Sequence, residues 1–386
     1  MIENIYASIF SNFADCVYGQ LASKPKALQE HHKLVLFGDT GSLVSLFQDA
    51  LISKGLRLHF IIDNNPDKWV SMSYDAILTY SPEQIISEYR DNAIVLIPSR
   101  NKAGMLKQLK SLCFPEEQII VLPAEDDIVQ QSQEHILKSL RRMEHRELQL
   151  ALLDILKVFR DFCDANKLKY FIANGTLLGA VRHQGFIPWD NDVDVYMPFE
   201  DREFFFSTYP DEGIFKTWHW KKNQNMHGPH GCFVDTRTIC FGPAILPLGF
   251  CIHPLTGYPD TPLEIQQKFA LNKTFEVNWR RWYHINKSNS SSIDVREDIL
   301  KLQFAKSFYG SPMVGTGSSI YVKGKEYGSF ALPYSDFSET VLLKFEDDCF
   351  SAPKGYDSYL RTLYGDYMQL PPENERTVHA HRAYWI

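Results

Sequence analysis

The hydrophobic positions in the first third of the chain fall into short runs separated by longer amphipathic stretches. The stretches at 42–54 and 102–112 carry apolar side chains at helical spacing. Short, largely apolar runs, typical of strands buried on both faces of a sheet, occupy residues 33–37, 58–62, 93–97 and 119–122. Strands that alternate with helices at this spacing predict a parallel sheet covered by helices.

The turns after the first two strands bear on what this sheet could bind. Gly38, Gly41 and Asp63 stand where a dinucleotide-binding unit places its phosphate turn and its ribose contact. The glycines lack the G-x-G-x-x-G spacing, and Asp39 would repel a pyrophosphate. The segment resembles the small Rossmann-like domains at the front of several bacterial glycan-modifying enzymes. We predict a structural role for it, with nucleotide binding as the alternative.

A further helical pattern follows this predicted α/β unit along the chain. Between residues 135 and 166, apolar side chains recur every three to five positions, which predicts one long amphipathic helix. A chain of 386 residues has room for about two domains. We therefore predict an α/β protein with a Rossmann-like domain at 1–125, a helical linker at 126–147 and a second domain at 148–386.

Composition narrows the functions that remain. The formal net charge is −7, whereas a general nucleic-acid binder would present a basic face, so we expect no nucleic-acid partner. The chain has no run of about 18 apolar residues, and its first residues lack the basic and apolar regions of a secretory signal. The seven cysteines are scattered and never spaced Cys-x-x-Cys, which favours reduced thiols. We expect a cytoplasmic protein without a transmembrane segment.

The middle of the chain carries the pattern with the most chemistry. After a short apolar run, Gly175 and Thr176 open a helix, and glycine there lets backbone N–H groups approach a phosphate closely. A predicted strand follows, with Asp192 and Asp194 one residue apart and Asp190 just before them. Residues two apart on a strand face the same way with Cα atoms about 6.6 Å apart. Carboxylates grouped in this way suit Mg²⁺ and a phosphoryl-transfer centre.

Other side chains of this segment suit the same phosphoryl-transfer site. Arg182 and His183, at the end of the short helix, can neutralise a diphosphate, and Trp189 can stack on a base or a cationic headgroup. A third acid on a neighbouring strand usually completes such a metal site, and Asp235 is flanked by apolar residues. The alternatives are a solvent-facing acidic strand end for the aspartate pair and simple packing for Trp189.

Two long motifs make a family resemblance specific. Residues 175–194 read GTLLGAVRHQGFIPWDNDVD, and the tail carries FEDDCFSAP at 345–353 and YGDYMQLPP at 364–372. Over roughly residues 150–382 the chain resembles the LicD family of phosphotransferases, which is related to fukutin and fukutin-related protein. The resemblance implies an α+β, nucleotidyltransferase-like fold for the second domain and a Mg²⁺ cofactor. The family commonly has an aspartate at Asn191, but the alternating pair is intact, so we expect activity to persist.

Known members of this family transfer phosphocholine from CDP-choline, or ribitol phosphate from CDP-ribitol, to a hydroxyl of a glycan. The resemblance therefore implies a CDP-linked donor, a glycan acceptor, and CMP as the leaving product. Phosphocholine is the group we favour, and ribitol, glycerol or ethanolamine phosphate is the alternative. Such an enzyme could associate peripherally with glycan-assembly machinery and could form a homo-oligomer.

Each residue of the predicted site can be given a role. Asp192, Asp194 and Asp235 are predicted to hold one or two Mg²⁺ ions, for which Mn²⁺ can substitute. Arg182 is predicted to be catalytic with them, and Asp235 or Asp194 also takes the proton of the acceptor. The residues predicted to bind substrate are Gly175, Thr176, His183, Trp189, Lys325, Arg376 and His379.

Two other functions fit parts of the same pattern. An enzyme that adds NMP from an NTP would also use a Gly-Thr turn and paired aspartates, and it would release pyrophosphate rather than CMP. A non-enzymatic scaffold would show no Mg²⁺-dependent nucleotide binding, and the intact aspartate pair argues against it.

Overall fold

The structure is a computed structural model that divides into two compact units, Met1–Arg141 and Arg142–Ile386. The residues that it describes are 2–24, 31–38, 42–66, 69, 77–97, 102–122, 138–219, 221–222, 231–241, 245–272, 301, 303–316, 320–322, 325–328, 331–373, 376 and 382–386. Each unit is described by itself below.

The first unit is built around a five-stranded parallel sheet. Its strands are β1 (Lys33–Phe37), β2 (Leu58–Ile62), β3 (Thr79–Tyr80), β4 (Ala93–Ile97) and β5 (Ile119–Val121). Its helices are α1 (Ile2–Ala22), α2 (Ser42–Ser53), α3 (Pro82–Tyr89) and α4 (Lys102–Ser111). The strand order is β3-β2-β1-β4-β5 and every pairing is parallel, which confirms the predicted Rossmann-like sheet.

Helices cover both faces of this sheet. Leu34 and Leu36 of β1 face an apolar layer to which α1 and α2 contribute. Val35 and Phe37 face the opposite layer, to which α3 and α4 contribute. This alternation follows from the two-residue repeat of a strand, and because both faces are covered, β4 is buried along its whole length.

Gly38 and Asp63, the two candidates for a nucleotide contact that the structure describes, make hydrogen bonds at the ends of their own strands. Gly38 adopts a φ of 105°, open to glycine, and its N–H donates to the carbonyl oxygen of Ile62 at 2.8 Å. Oδ1 of Asp63 accepts the N–H of Asn65 at 2.8 Å. Gly41 lies outside the described residues. Both described residues thus shape the turns that follow the strands.

The second unit contains a nine-stranded mixed sheet. Its strands are β6 (Arg141–Arg142), β7 (Phe171–Ile172), β8 (Val195–Pro198), β9 (Phe215–His219), β10 (Gly231–Phe241), β11 (Ile245–Tyr258), β12 (Met313–Thr316), β15 (Ala331–Pro333) and β18 (Arg382–Trp385). The order is β15-β12-β11-β10-β18-β6, with β9 beside β10, β8 beside β11, and β7 beside β8. Two hairpins stand apart from it: β13 (Ile320–Val322) with β14 (Lys325–Gly328), and β16 (Thr340–Phe345) with β17 (Asp348–Pro353).

Helices complete an α+β arrangement consistent with the predicted nucleotidyltransferase-like fold. They are α5 (His145–Asn166), α6 (Asn174–His183), α7 (Phe199–Thr208), α8 (Tyr334–Ser338) and α9 (Tyr356–Tyr364). Helix α6 follows β7 directly, and β7 pairs with β8. The first turn of α6 therefore lies beside the residues that lead into β8, which are the predicted metal ligands.

Helix α5 begins later than the sequence pattern predicts. The side chain of Glu144 accepts the N–H of Glu147, and the Glu147 carboxylate accepts the N–H of Glu144, which is a capping box that starts the helix at His145. Just before it, the N–H of Met143 donates to the carbonyl oxygen of Ala383. The prediction of a helix from residue 135 is therefore wrong over 138–144, because pairing at the sheet edge replaces helical hydrogen bonds there; residues 135–137 lie outside the described part.

An aromatic core holds α5 against the sheet. The ring of Phe159 meets those of Tyr170, Phe205 and Phe250 edge-on at centroid distances of 5.2, 5.1 and 5.5 Å. All four side chains are buried. Edge-to-face pairs of this kind add to the hydrophobic gain from burial, so the scaffold behind the site is rigidly packed.

One pair of cysteines departs from the expected reduced thiols. Cys232 of β10 and Cys251 of β11 lie directly opposite each other in the antiparallel register, and the structure joins them in a disulfide. Their sequence separation of 19 gave no sign of this contact, because strand register is a tertiary feature. The five other cysteines are free thiols, as predicted.

Two helices of the described residues have the length needed to cross a bilayer. They are α1, with 21 residues, and α5, with 22. Neither is apolar enough, and no other described helix qualifies as a membrane span.

Candidate active site

The first turn of α6 forms one wall of the candidate site. Gly175 stands there without room for a side chain, because a Cβ atom would lie 2.6 Å from Oδ2 of Asp190 and 3.8 Å from Oδ2 of Asp194. The two carboxylates thus converge on the start of a helix, where the first backbone N–H groups have no partner within the helix. Glycine is required at this position for that close approach.

Asp194 is held through its backbone and its side chain. Its N–H donates to Oγ1 of Thr176 at 2.8 Å, and its carbonyl oxygen accepts the N–H of Ala173 at 3.0 Å. Its Oδ2 accepts the N–H of Gly175 at 3.3 Å. The predicted Gly-Thr turn therefore fixes the aspartate, and its contact with a phosphate stays a prediction.

Three carboxyl groups come together beside this turn. Burial raises the pKa of Asp190 and of Asp194, and the neighbouring Asp192 raises both further. The structure therefore brings the predicted pair together with Asp190, which the sequence placed just before them.

This set fits a cation that is bound jointly with a substrate. Among the residues described, no three His, Cys, Asp or Glu side chains are arranged to hold a metal ion by themselves. Mg²⁺ is usually held by one or two carboxylates plus substrate phosphates rather than by a closed protein cage. Asp192 and Asp194, crowded with like charge beside a helix start, supply such a donor set.

Two tyrosines bind the residue that precedes Gly175. The hydroxyl groups of Tyr196, on β8, and Tyr359, on α9, donate to Oδ1 of Asn174 at 3.1 and 2.5 Å. Asn174 itself adopts a left-handed φ of 42° where the chain turns into α6. Sequence reasoning missed both tyrosines, since Tyr359 lies 185 positions from Asn174 and neither has a diagnostic spacing.

Two further side chains near the carboxylates were not found from the sequence. Tyr364, at the end of α9, is partly buried, and its burial and the charges of the three aspartates raise its pKa. His253 of β11 is paired in register with Tyr196 of β8. Burial and the positive charge of Arg202 lower the pKa of His253 to about 4, so it is neutral near pH 7.

Arg182 lies at the edge of the site, bound to the tail of the unit. Its Nη1 donates to the carbonyl oxygens of Tyr367 at 2.8 Å and Gln369 at 3.3 Å. Burial lowers its pKa, the nearby Tyr364 raises it, and the positive charge of Arg376 lowers it. The structure therefore places two guanidinium groups close together, on the side of Tyr364.

The predicted substrate-binding residues His183, Trp189 and Arg376 form one cluster. The guanidinium of Arg376 lies over the ring of Trp189, 5.3 Å from its centroid. The ring of His183 meets Trp189 edge-on at 6.2 Å. Nε of Arg376 donates to the carbonyl oxygen of Pro371 at 2.9 Å. The tail segment that binds Arg182 thus also binds Arg376.

Asp235 requires a correction, because its carboxylate has another partner. Both of its side-chain oxygens are bound by the guanidinium of Arg237, with Nη2 to Oδ2 at 2.6 Å and Nε to Oδ1 at 3.0 Å. The Asp235 side chain is 1% exposed, and the Arg237 side chain is 47% exposed. A buried carboxylate with a bidentate cation already has its charge compensated.

Strand geometry explains why Asp235 does not join the aspartate pair. Side chains alternate between the two faces of a strand. Phe233 belongs to the aromatic core, so Asp235, two residues further on β10, faces the same side. Phe233 is paired with Phe250 of β11. Two residues further along β11, Ile252 is paired with Val195 of β8, so Val195 shares the face of Phe233, and Asp194, next to Val195, points the other way. The structure therefore supplies Asp190, rather than Asp235, as the third carboxylate.

Two other predicted contacts cannot be placed. Lys325 is the first residue of β14, and its side chain is not among the described ones. His379 lies outside the described residues. Both roles stay predictions.

Glu346 holds the loop between α6 and the aspartates. Its Oε1 accepts the N–H of Phe186 at 3.0 Å, and its carboxylate is paired with the guanidinium of Arg146 on α5. Arg146 lowers the pKa of Glu346. A Cβ atom on Gly185 would lie 2.5 Å from Oε1 of Glu346. The residue belongs to the tail motif FEDDCFSAP, for which the sequence indicated no role.

A mixed sheet, a glycine turn at a helix start and clustered carboxylates define a transferase site of the nucleotidyltransferase type. Comparison with known proteins agrees: residues 167–239 match a family model described as the LicD/FKTN/FKRP nucleotidyltransferase domain. The matched segment contains the Gly-Thr turn and the three aspartates. This match, over residues 167–239, and the relative described next confirm the predicted resemblance to the LicD family of phosphotransferases.

The chain is similar to the lipopolysaccharide cholinephosphotransferase LicD of Haemophilus influenzae. The two are 27% identical over 263 residues, which covers 62% of this chain and 97% of that protein. Uncharacterized proteins of Rickettsia typhi and Rickettsia prowazekii are 44% identical over 61 residues and 48% identical over 52 residues. The chain spans 20% of the length of each of these two relatives.

Proposed function

We propose that this protein transfers phosphocholine from CDP-choline to a hydroxyl group of a surface-glycan precursor and releases CMP. The observation that carries the proposal is the convergence of Asp190 and Asp194 on the first turn of α6, at a glycine with no room for a side chain, with the charge of Asp192 beside them. Similarity to a cholinephosphotransferase over 97% of that relative's length supports phosphocholine as the transferred group.

Mg²⁺ is the cofactor we propose, held by Asp192 and Asp194 with Asp190 beside them. When bound, it would supply positive charge against the donor diphosphate. The N–H of Gly175 donates to Oδ2 of Asp194, so we propose that a phosphate oxygen of the donor is met by the N–H of Thr176, since the start of a helix favours anions. Mn²⁺ is expected to substitute.

In the proposed reaction the acceptor oxygen forms a bond to the phosphorus that carries choline. The bond from that phosphorus to the bridging oxygen breaks, and CMP leaves with the electron pair. The acceptor proton passes to a carboxylate, for which Asp194 is our choice now that Asp235 is bound to Arg237. Arg182 and Arg376 offset the charge that builds on CMP, and His183 and Trp189 line the same side.

The proposal is tested by incubating the full chain with Mg²⁺, a glycan acceptor and one of four donors: CDP-choline, CDP-ethanolamine, CDP-glycerol or CDP-ribitol. We expect CMP release to be fastest with CDP-choline and to stop when EDTA removes the metal. If only another donor releases CMP, the proposed transferred group is wrong but the proposed class of reaction stands. Release of pyrophosphate from an NTP, without CMP from any donor, would favour a nucleotidyltransferase.

The setting of the reaction is part of the same proposal. A CDP-linked donor is a cytoplasmic metabolite, so we propose a cytoplasmic enzyme that meets its glycan acceptor at the assembly machinery. Fractionation of cells that express the chain would test this. Recovery in a compartment without CDP-linked donors would contradict it.

A further inference from the structure

Asn174 connects the carboxylates to the tail of the unit. Its Oδ1 accepts two hydrogen bonds, from the hydroxyl of Tyr359 at 2.5 Å and from the hydroxyl of Tyr196 at 3.1 Å. An amide oxygen has two lone pairs, so these bonds occupy both and fix which way the amide faces. Burial raises the pKa of the Asp194 carboxyl group and the amide of Asn174 lowers it, and the N–H of the next residue, Gly175, donates to Oδ2 of Asp194 at 3.3 Å.

The surroundings, rather than local preference, hold this arrangement. Asn174 has a left-handed φ of 42°, which asparagine adopts more readily than most residues but still at a cost that its neighbours must offset. Tyr196 and Tyr359 are each 1% exposed, and the oxygen of Tyr359 also accepts the N–H of Asn174 at 3.4 Å. Because a buried hydroxyl group without a hydrogen-bond partner costs free energy, these bonds are kept.

We propose that Tyr359 and Asn174 are positioning residues for Asp194. Tyr359, together with Tyr196, fixes Asn174 at the start of α6, and Asn174 with the N–H of Gly175 that follows it holds the Asp194 carboxylate where metal and donor are to bind. The kinetic test of this idea rests on the proposed function, whereas a metal-binding test rests on the carboxylates alone. Loss of such an outer partner typically costs about 10-fold to 100-fold in metal affinity or activity.

The central variant is Tyr359→Phe, which removes one oxygen atom from a buried ring. Tyr170→Phe is the matched control, because Tyr170 is 2% exposed and its hydroxyl accepts the N–H of Ser351 at 3.3 Å, in the aromatic core. Mn²⁺ binding is measured on the full chain by electron paramagnetic resonance without substrate, and kcat with CDP-choline at saturating Mg²⁺. We expect Tyr359→Phe to weaken Mn²⁺ binding or lower kcat by about 10-fold or more, while the control stays within about twofold of the unmodified chain.

A second variant keeps the test independent of folding. Glycine suits a φ of 42°, which partly offsets the cost of leaving the hydroxyl groups of Tyr196 and Tyr359 without their acceptor, so Asn174→Gly should fold while it removes the amide. We expect the same loss as for Tyr359→Phe, and no further loss when the two changes are combined, because both act through one carboxylate. Thermal melting of every variant reports whether a lost function reflects lost structure.

The outcomes separate this proposal from the proposed function. If the unmodified chain releases no CMP from CDP-choline while Tyr359→Phe weakens Mn²⁺ binding, the function fails and the positioning role stands. If Tyr359→Phe matches the Tyr170→Phe control in both Mn²⁺ binding and kcat, the positioning role is overturned. A chain that binds no Mn²⁺ and releases no CMP overturns both.

Discussion

The two units of this chain are both layered structures of strands and helices, yet the candidate acidic residues at their turns are placed differently. In the first unit β4 is wholly apolar, and Asp63, at the end of β2, is half-exposed and bound to the N–H of the turn that follows. In the second unit Asp190 and Asp194 are drawn inward beside α6, where burial raises their pKa. Grouping carboxyl groups in a buried place costs free energy.

This difference indicates which of the two units carries the reaction. A Rossmann-like strand order is a scaffold that hosts many functions, so the order by itself assigns none. Perturbed carboxyl groups beside a helix start are a site-level feature, and such features cluster where a reaction needs them. The comparison therefore favours the second unit as the reacting one and the first as structural.

The strongest test of the comparison removes one carboxylate. Asp192→Asn should reduce turnover to below about a tenth of the unmodified rate, a loss of at least ~1.4 kcal/mol of transition-state stabilisation. The same change relieves repulsion among the three carboxyl groups, so the melting temperature should hold or rise. Steady-state kinetics at saturating Mg²⁺ and thermal melting measure the two effects. A variant that keeps more than a tenth of the rate would remove Asp192 from the metal site.

A smaller loss is expected when Arg182 is removed. Charge builds on CMP as it leaves, so Arg182→Ala should lower kcat by about 10-fold to 100-fold and raise the donor KM less. Lysine should restore part of the rate, because a point charge cannot replace a bidentate guanidinium.

Arg90 of the first unit provides the matched control for Arg182. It also donates from its guanidinium to a backbone carbonyl, that of Leu112 at 3.1 Å. Arg90→Ala should leave kcat and KM unchanged. If Arg182→Ala raises KM and leaves kcat unchanged, Arg182 only binds the donor in the ground state. If Arg182→Ala and Arg90→Ala have the same kinetics, Arg182 is not part of the site.

Asp235 sharpens the comparison within the second unit. Because its carboxylate is bound to Arg237 on the core side of β10, Asp235→Asn should lower the free energy of unfolding by ~1–3 kcal/mol. Turnover of the folded variant should stay close to that of the unmodified chain. Chemical denaturation and kinetics at saturating Mg²⁺ measure these effects. Lost turnover with unchanged stability would return Asp235 to the metal site.

The smallest expected effect concerns the first unit. Calorimetry on the full chain should detect no micromolar binding of NAD⁺ or NADP⁺, because Gly38 and Asp63 serve their own turns. CDP-choline with Mg²⁺ is the positive control in the same experiment. Micromolar affinity for a dinucleotide would end the structural interpretation and indicate a second activity.

Much of this architecture could be predicted, because it depends on local pattern. The apolar runs gave β1, β2 and β4 at their observed bounds, and the Gly-Thr turn with alternating aspartates located the candidate site. The start of α5 could not be predicted, because a strand at the sheet edge competes with helix there. The sequence also did not show which face of the sheet a side chain occupies. Asp235 has the flanking residues of a metal ligand but lies on the other side of the sheet.

The side chains that support the site were missed for a different reason. Tyr359 and Glu346 act on residues 185 and 160 positions away, and no spacing rule reaches that far. The disulfide between Cys232 and Cys251 depends in the same way on strand register. Resemblance to a family identified the segments that carry these residues, without showing what they touch.

The hydrogen bond between Glu346 and Phe186 also bears on how the chain is made. The loop that leads to the aspartates is anchored by a residue synthesised 160 positions later. At about 5–20 residues per second, a ribosome needs about 8 to 30 s to cover that distance. The contacts within the parallel sheet of the first unit are all available well before then. A nascent chain thus carries a finished first sheet while its clustered carboxyl groups still lack the side chains that hold them in place.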